Sequence, residues 1–173
     1  MSKAQRRAEI MEYLRKASGP TTGSWLSSAL GVTRQVIVGD IAVLRAGGEK
    51  IVATPQGYFL YSADHFRPYK GTVAVKHSND LEEIAEELNL IVDQGGTVVD
   101  VTVEHPLYGE LTANLQLSTR DDVAQFVQKM DRMEAEPLLV LTGGYHLHGI
   151  EAPDDEAMEK IRHALRKAGF LAE

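Results

Sequence analysis

The chain has 173 residues, 43% of them hydrophobic, which is enough for one domain or for two small ones with a core each. It contains no cysteine, so disulfides and thiolate metal sites are excluded and any metal must be held by imidazole and carboxylate. The formal charge of −7 is unevenly divided: residues 1–61 carry eight Lys/Arg against four Asp/Glu, residues 62–173 ten against twenty-one. A cationic first part on an acidic chain is the pattern of a DNA reader joined to a regulatory domain. The opening Met1-Ser2-Lys3-Ala4-Gln5-Arg6-Arg7 lacks the apolar core of a signal peptide, and no apolar stretch approaches the ~20 residues that span a bilayer. A cytoplasmic protein without membrane association is the expectation.

Ile10, Met11 and Leu14 recur at helical spacing and predict a helix over 4–17, which Ser18-Gly19-Pro20 stops. Thr21 and Thr22 offer caps for a second helix over 24–30, which ends at Gly31, a residue that accepts the left-handed conformation of a tight helix-helix turn. Val32 packs inward and Thr33 caps a third helix reaching about Ala46, with Val36, Ile37, Ile41 and Leu44 on its apolar stripe. Thr33, Arg34, Gln35 and Val38 stand near its start, where short or polar side chains leave the first turn free to approach base edges, and Arg45 and Lys50 are candidate phosphate contacts. After Gly47-Gly48, residues 51–61 read as two short strands around a Gln56-Gly57 turn, the wing of a winged helix-turn-helix. The DNA-binding domain is therefore placed at 1–62.

Ser62 to Lys70, containing Asp64, His65 and Pro68, reads as a polar connection in which His65 is solvated, and a second domain follows over 70–173. Its predicted order is strand (71–77), helix (80–93), strand (97–105), strand (110–118), helix (119–133), strand (138–148) and helix (154–168). The turn Leu107-Tyr108-Gly109-Glu110 makes at least one strand pair antiparallel. The class is α+β with two domains, the second an α/β sandwich on a mixed or antiparallel sheet in a split βαβ arrangement.

The chemistry centres on histidine. His146 and His148 lie two residues apart in Gly143-Gly144-Tyr145-His146-Leu147-His148-Gly149, a spacing that puts both imidazoles on one face of a strand. His77 closes another strand, and the helix after it offers a carboxylate: with Leu81, Ile84, Leu88 and Ile91 facing the sheet, Glu87 is the acid best placed to reach His77, with Glu86 one residue away as the alternative. Three imidazoles and a carboxylate suit nickel, zinc, iron or manganese, and ligand type does not choose among them. His105, at a strand end before Pro106, reads either as a hydrogen-bonded structural residue or as a contact for a small anionic or heteroaromatic effector, by hydrogen bond or by ligation, on which Tyr108 would stack. His163, among Arg162, Arg166 and Lys167, reads as surface, and Asp100 either orients a metal-bound imidazole or faces water.

The residues carry a resemblance. The run Gly31 to Ala46 with the wing ending Gly57-Tyr58, then Lys76-His77-Ser78, Glu86-Glu87-Leu88, Asp100-Val101-Thr102-Val103-Glu104-His105-Pro106-Leu107-Tyr108-Gly109 and Gly143-Gly144-Tyr145-His146-Leu147-His148 are similar to bacterial nicotinate-responsive transcriptional repressors of NAD biosynthesis. These proteins join a biotin-repressor-type helix-turn-helix to a three-histidine (3H) domain. The helix-turn-helix match is shared by many regulators; the Val-Glu-His-Pro-x-Tyr-Gly and His-x-His segments are far more specific. The resemblance implies a divalent metal held by His77, Glu87, His146 and His148, with nicotinic acid as co-repressor near it and control of NAD biosynthesis or niacin uptake genes. The DNA-binding mode adds the expectation of a homodimer on a palindromic operator in double-stranded DNA. The alternative is a metal-dependent hydrolase acting on a small nicotinate-like substrate, with Glu104 or Glu151 as general base. No nucleophile motif or phosphate-cradling loop accompanies it, so a regulator without catalytic residues, and no enzyme, is the expected reading.

Overall fold

The computed structural model describes residues 1–61 and 69–173. The chain divides into two compact units, Met1–His65 and Phe66–Glu173; of the linker expected over Ser62 to Lys70, residues 62–68 with His65 lie outside the described residues, and Tyr69 and Lys70 already belong to the first strand of the second unit.

In the first unit α1 (Lys3–Lys16) opens with a Ser2–Gln5 capping box, which satisfies two of the N–H groups a helix start leaves without partners. Thr22 caps α2 (Gly23–Leu30) and Thr33 caps α3 (Arg34–Ala46), each accepting a main-chain N–H three residues on. Gly31 closes α2 at φ 64°, and α2 and α3 meet at 104°, the angle of a DNA-binding helix-turn-helix. Ile10, Met11, Leu14, Leu26, Leu30, Ile37, Ile41 and Ile51 form one core. The apolar spacing gave no sign of Asp40. It is buried at 3% exposure, and Arg6 Nε and Arg7 Nε reach it at 2.5 and 2.9 Å, tying α1 to α3. Burial alone would raise this carboxyl, but the hydrogen bonds and charges of the two arginines hold it below the usual carboxylate range.

The wing is an antiparallel pair, β1 (Ile51–Thr54) and β2 (Gly57–Leu60). Its turn is Pro55-Gln56, one residue earlier than expected. Gly57 already belongs to β2, at φ 131°, because the Thr21 carbonyl passes where a Cβ would stand. Thr21 does not cap α2; it exchanges two 2.8 Å backbone hydrogen bonds with Tyr58 and adds a third rung to the wing.

The second unit comprises β3 (Tyr69–Lys76), α4 (Leu81–Asp93), β4 (Thr97–His105), β5 (Gly109–Leu117), α5 (Arg120–Arg132), a 3-10 helix (Leu138–Thr142), β6 (Tyr145–Ala152) and α6 (Asp155–Lys167). The strand order is β3-β6-β4-β5 and every neighbouring pair is antiparallel. β3 and β4 therefore run parallel with β6 inserted between them, and β5 and β6 run parallel with β4 between them: two interleaved split βαβ units. One expectation fails. The apolar run Leu138-Leu139-Val140-Leu141 is a 3-10 helix and not the start of the last strand. Gly143 and Gly144, at φ 63° and 100°, turn the chain, and β6 begins only at Tyr145.

Alternation along β6 sends His146, His148, Ile150 and Ala152 inward, to a core shared with Val73, Val75, Ile84, Leu88, Ile91, Met158, Ile161 and Leu165. Tyr145, Leu147, Gly149 and Glu151 point to the opposite face, which Ala74 and Thr102 share as the strand partners of Leu147. α4 and α6 contribute their apolar stripes to this core, so the helices cover the face that carries the histidines.

Candidate metal centre

His146 and His148 are fixed by β6, which has a hydrogen-bonded neighbour on each side, and His77 stands one residue beyond the end of β3. Glu87 comes from the buried stripe of α4, where it is 1% exposed; Glu86 is exposed, which removes it as the alternative. The three imidazoles converge on this one carboxylate. His77 Nε2 lies 2.7 Å from Glu87 Oε2, His146 Nε2 3.5 Å from the same oxygen, and His148 Nε2 2.9 Å from Oε1. The donor atoms of His77, Glu87 and His146 all fall within 4.8 Å of one another.

Each imidazole is turned the same way by the main chain. Nδ1 of His77 meets the Ser78 carbonyl at 2.8 Å, that of His146 the Gly144 carbonyl at 2.9 Å, and that of His148 the Asp100 carbonyl at 2.7 Å. A carbonyl can only accept, so each Nδ1 donates and carries the proton, and each neutral ring presents the lone pair of Nε2 to the carboxylate. Lone pairs then face lone pairs, and a cation must sit among them, either protons on the rings or a metal ion. The protonated alternative shows in the electrostatics. Burial alone would lower the His77 imidazole, but the hydrogen bond and charge of Glu87 lift it above its ordinary value, and His148 is lifted against burial chiefly by the Glu87 charge. Burial alone would raise Glu87, yet the His148 charge and the surrounding imidazole groups hold it well below the carboxylate range.

The donor set fits a metal on a further observation. Among the described residues Glu87 Oε1 is a buried oxygen with no hydrogen-bond partner: His148 Nε2 is close to it but lies off the hydrogen-bonding direction. A carboxylate oxygen without a donor, beside an imidazole aimed to one side of it, suits a shared ion, because ligands at about 2.1 Å from one centre lie ~3 Å apart and do not bond to each other.

Two backbone features shape the centre. Between Val98–Ile150 and Thr102–Leu147 the β4 strand carries one residue more than β6, a bulge that leaves the Asp100 carbonyl to accept from His148. Asp100 thus orients the imidazole through its main chain, while its carboxylate takes the Gly149 N–H at 2.9 Å and occupies the place of a Gly149 Cβ, 2.7 Å away. At the other end a Cβ on Gly144 would collide with the His77 carbonyl, so Gly144 lets the turn before β6 press against His77. The Gly143-Gly144 pair was visible beside the histidines; the bulge left no mark in the sequence.

His105 Nδ1 accepts from the N–H groups of Leu107 at 3.0 Å and Tyr108 at 3.2 Å, so the neutral ring carries its proton on Nε2, the reverse of the other three. The Tyr108 ring lies 5.1 Å from it at 36°. The pairing of Thr102 with Leu147 brings the His105 end of β4 to the start of β6, the end of the sheet that carries His77 and His146. Glu104 and Glu151, the bases of the hydrolase alternative, fall in the alternation of Thr102 and Leu147, on the face opposite the histidines, and Glu151 pairs with Lys70 at 3.7 Å. His163 lies on α6.

In the winged-helix unit Arg34, Gln35, Arg45 and Lys50 are exposed and Val38 is half-buried. The Thr33 hydroxyl accepts the Val36 N–H and is committed to the helix it starts. Arg34 Nε stands 3.5 Å from where a Gly23 Cβ would be, so its side chain leans back over the start of α2 beside Tyr58.

A winged helix-turn-helix joined to a unit with three inward histidines defines a DNA-binding regulator. Residues 6–59 match an HTH domain and residues 70–173 match the 3H domain. The chain is 48% identical over 169 residues to a protein of Thermotoga maritima named a probable transcription repressor NiaR, covering 98% of this chain and 94% of the relative. It is 41% identical over 170 residues to the transcription repressor NadR of Bacillus subtilis, covering 97% and 93%. The chain belongs to this NiaR/NadR family of 3H-domain transcription repressors. The relatives are named as repressors and not as enzymes, which together with the placement of Glu104 and Glu151 removes the hydrolase alternative. No single helix among the described residues is long and apolar enough to cross a membrane.

Proposed function

We propose that the protein is a cytoplasmic, homodimeric repressor that binds operator DNA with nicotinic acid as co-repressor and a divalent metal in its 3H domain, controlling genes of NAD biosynthesis or niacin uptake. The observation that carries the metal is the convergence of three imidazole Nε2 atoms, each with Nδ1 donating to a carbonyl, on the buried Glu87 carboxylate. His77, Glu87, His146 and His148 hold the ion, which when bound supplies a fixed positive charge for an anionic ligand; nickel, zinc, iron and manganese all suit this donor set. His105, with its proton on Nε2, is a hydrogen-bond donor to the carboxylate of nicotinic acid, and its occupied Nδ1 sets direct ligation aside. Tyr108, largely exposed beside it, offers a ring on which the pyridine stacks.

On the DNA side the first turn of α3 approaches the bases with Thr33, Arg34, Gln35 and Val38, while Arg45 and Lys50 contact phosphate. The co-repressor acts only through differential affinity, so nicotinic acid binds the DNA-competent state more tightly than the other, and DNA in turn raises its affinity by the same factor. Calorimetric titration of nicotinic acid into metal-loaded and chelated protein, with nicotinamide as control, tests the reading. Saturable binding of the acid to the metal-loaded form alone is expected. Equal binding to the chelated form removes the metal from the effector site, and no binding to either removes nicotinic acid.

A further inference from the structure

The three imidazoles are not held equally. His146 and His148 belong to β6, where they pair with Val75 and Val73 of β3, and Leu147 between them pairs with Thr102 of β4. His77 lies past the end of β3, and its N–H reaches the Gly144 carbonyl only at 3.4 Å. What fixes its ring must come from elsewhere. On one side Ser78, whose carbonyl takes the His77 Nδ1 proton, is pinned by Glu83: Oε2 of that residue accepts both the Ser78 N–H and its hydroxyl at 2.8 Å. On the other side stands Phe170, buried at 7% exposure, with its ring 5.4 Å from the His77 ring and inclined at 74°, an edge-to-face contact.

Phe170 is itself held by a rung outside the named strands. After α6 the chain turns at Gly169, and residues 170–172 run along the free edge of β3: Lys76 N–H donates to the Phe170 carbonyl at 2.9 Å, Val75 bridges Leu171, and Ala172 N–H donates to Ala74 at 2.9 Å. Arg166 on α6 adds an ion pair with Glu173 at 2.6 Å, although both side chains are exposed and the pair contributes little. This rung covers the edge of β3 and delivers one aromatic side chain to the one imidazole without a strand of its own.

We propose that Phe170 is a positioning residue for the metal centre: it sets the His77 ring, and the 170–172 rung is thereby coupled to the ion that His77 helps to hold. This rests on the metal reading above. Outer partners that orient a ligating imidazole are typically worth about 10–100-fold in metal affinity. Phe170→Leu, which keeps an apolar side chain in the core but loses the ring edge, is expected to weaken binding of Co(II), a spectroscopic stand-in for the native ion, by about tenfold and to change its visible ligand-field bands. Phe170→Tyr, which keeps the ring, retains the wild-type bands. Ile161→Val, a truncation on α6 in the same core, controls for general softening: it lowers thermal stability and leaves the Co(II) spectrum unchanged. Hydrogen exchange supplies the second readout, with the Lys76 and Ala172 amides slowing on Co(II) binding in the wild type and much less in Phe170→Leu. Wild-type affinity and bands in Phe170→Leu, or a spectral change in Ile161→Val equal to its own, overturn the proposal. Absence of Co(II) binding by the wild-type chain overturns the metal reading itself and this proposal with it.

Discussion

In the winged-helix unit the candidate contacts Arg34, Gln35, Arg45 and Lys50 are exposed, and Asp40, the one buried charge among its described residues, serves the fold by joining α1 to α3. In the 3H unit the relation is reversed: His77, Glu87, His146 and His148 are buried polar groups that face one another. Burying a carboxylate among imidazoles costs stability unless each group is paired, so a core that gathers four such groups gives up apolar packing to do so. A surface reader makes no such trade, because solvated cations cost nothing until DNA arrives. Buried charge thus joins two helices in one unit and gathers three imidazoles on one carboxylate in the other.

The comparison breaks first at Asp40. Asp40→Asn removes the charge between two arginines and turns one of their two acceptor oxygens into an NH2 donor, which is expected to cost about 2–3 kcal/mol in the winged-helix unit. Trp25 is the single tryptophan and lies in that unit, edge-on to Tyr13 at 5.1 Å, so its fluorescence during denaturant unfolding reads this unit alone. The pH dependence follows from the lowered carboxyl. The contribution is fully present above the unfolded value, about 3.9, and is lost as pH falls through the folded value beneath it. Wild-type Trp25 unfolding should therefore lose stability below about pH 4, and Asp40→Asn should lose that acid slope; an unchanged slope contradicts the clamp.

Gly149→Ala sharpens the other side. The new Cβ meets the Asp100 carboxylate and displaces its bond to the residue 149 N–H, which is expected to cost about 2 kcal/mol and to weaken metal binding through the Asp100 carbonyl on His148. Thermal unfolding by circular dichroism and a competitive metal titration check both parts. A smaller effect is expected of Arg34→Ala. On duplexes that the protein selects from a random pool it should lose about 1 kcal/mol of affinity, and if the lean over Gly23 persists on DNA the salt slope falls by about one with little change in sequence preference. Loss of preference at one base pair would instead make Arg34 a base reader. The smallest effect is expected of Glu86→Gln, which lies one position from Glu87 and is exposed; metal affinity should stay within about twofold, a change of only ~0.4 kcal/mol.

Most elements were legible because their signals are local. Apolar spacing, Thr22 and Thr33 as caps and Gly31 as a turn suffice for the helix-turn-helix, and the two-residue spacing of His146 and His148 holds on any strand that contains them. Helical phase favoured Glu87 and left Glu86 as the alternative; the difference between them is one of burial, Glu87 lying in the buried stripe beside Leu88 and Glu86 exposed. The errors arose where a short apolar run is ambiguous. Leu138–Leu141 read as a strand, but four apolar residues before two glycines serve equally as a helical turn, and here the chain reverses at Gly143 before β6 can pair. What stayed hidden depends on contacts distant in sequence: the Asp40 clamp, the β4 bulge that frees the Asp100 carbonyl, and Phe170 against His77, none of which leaves a periodic trace.

The most direct test of the metal centre is to load chelated wild-type protein and its Glu87→Gln variant with a divalent ion and measure bound metal per chain alongside affinity by competition. Glu87→Gln keeps the shape of the side chain and removes the charge on which three imidazoles converge. One ion per wild-type chain, and a loss in the variant beyond the about 10–100-fold typical of outer partners, is the predicted result. A folded variant that keeps its ion at wild-type affinity, or a wild-type chain that binds none, would contradict the account.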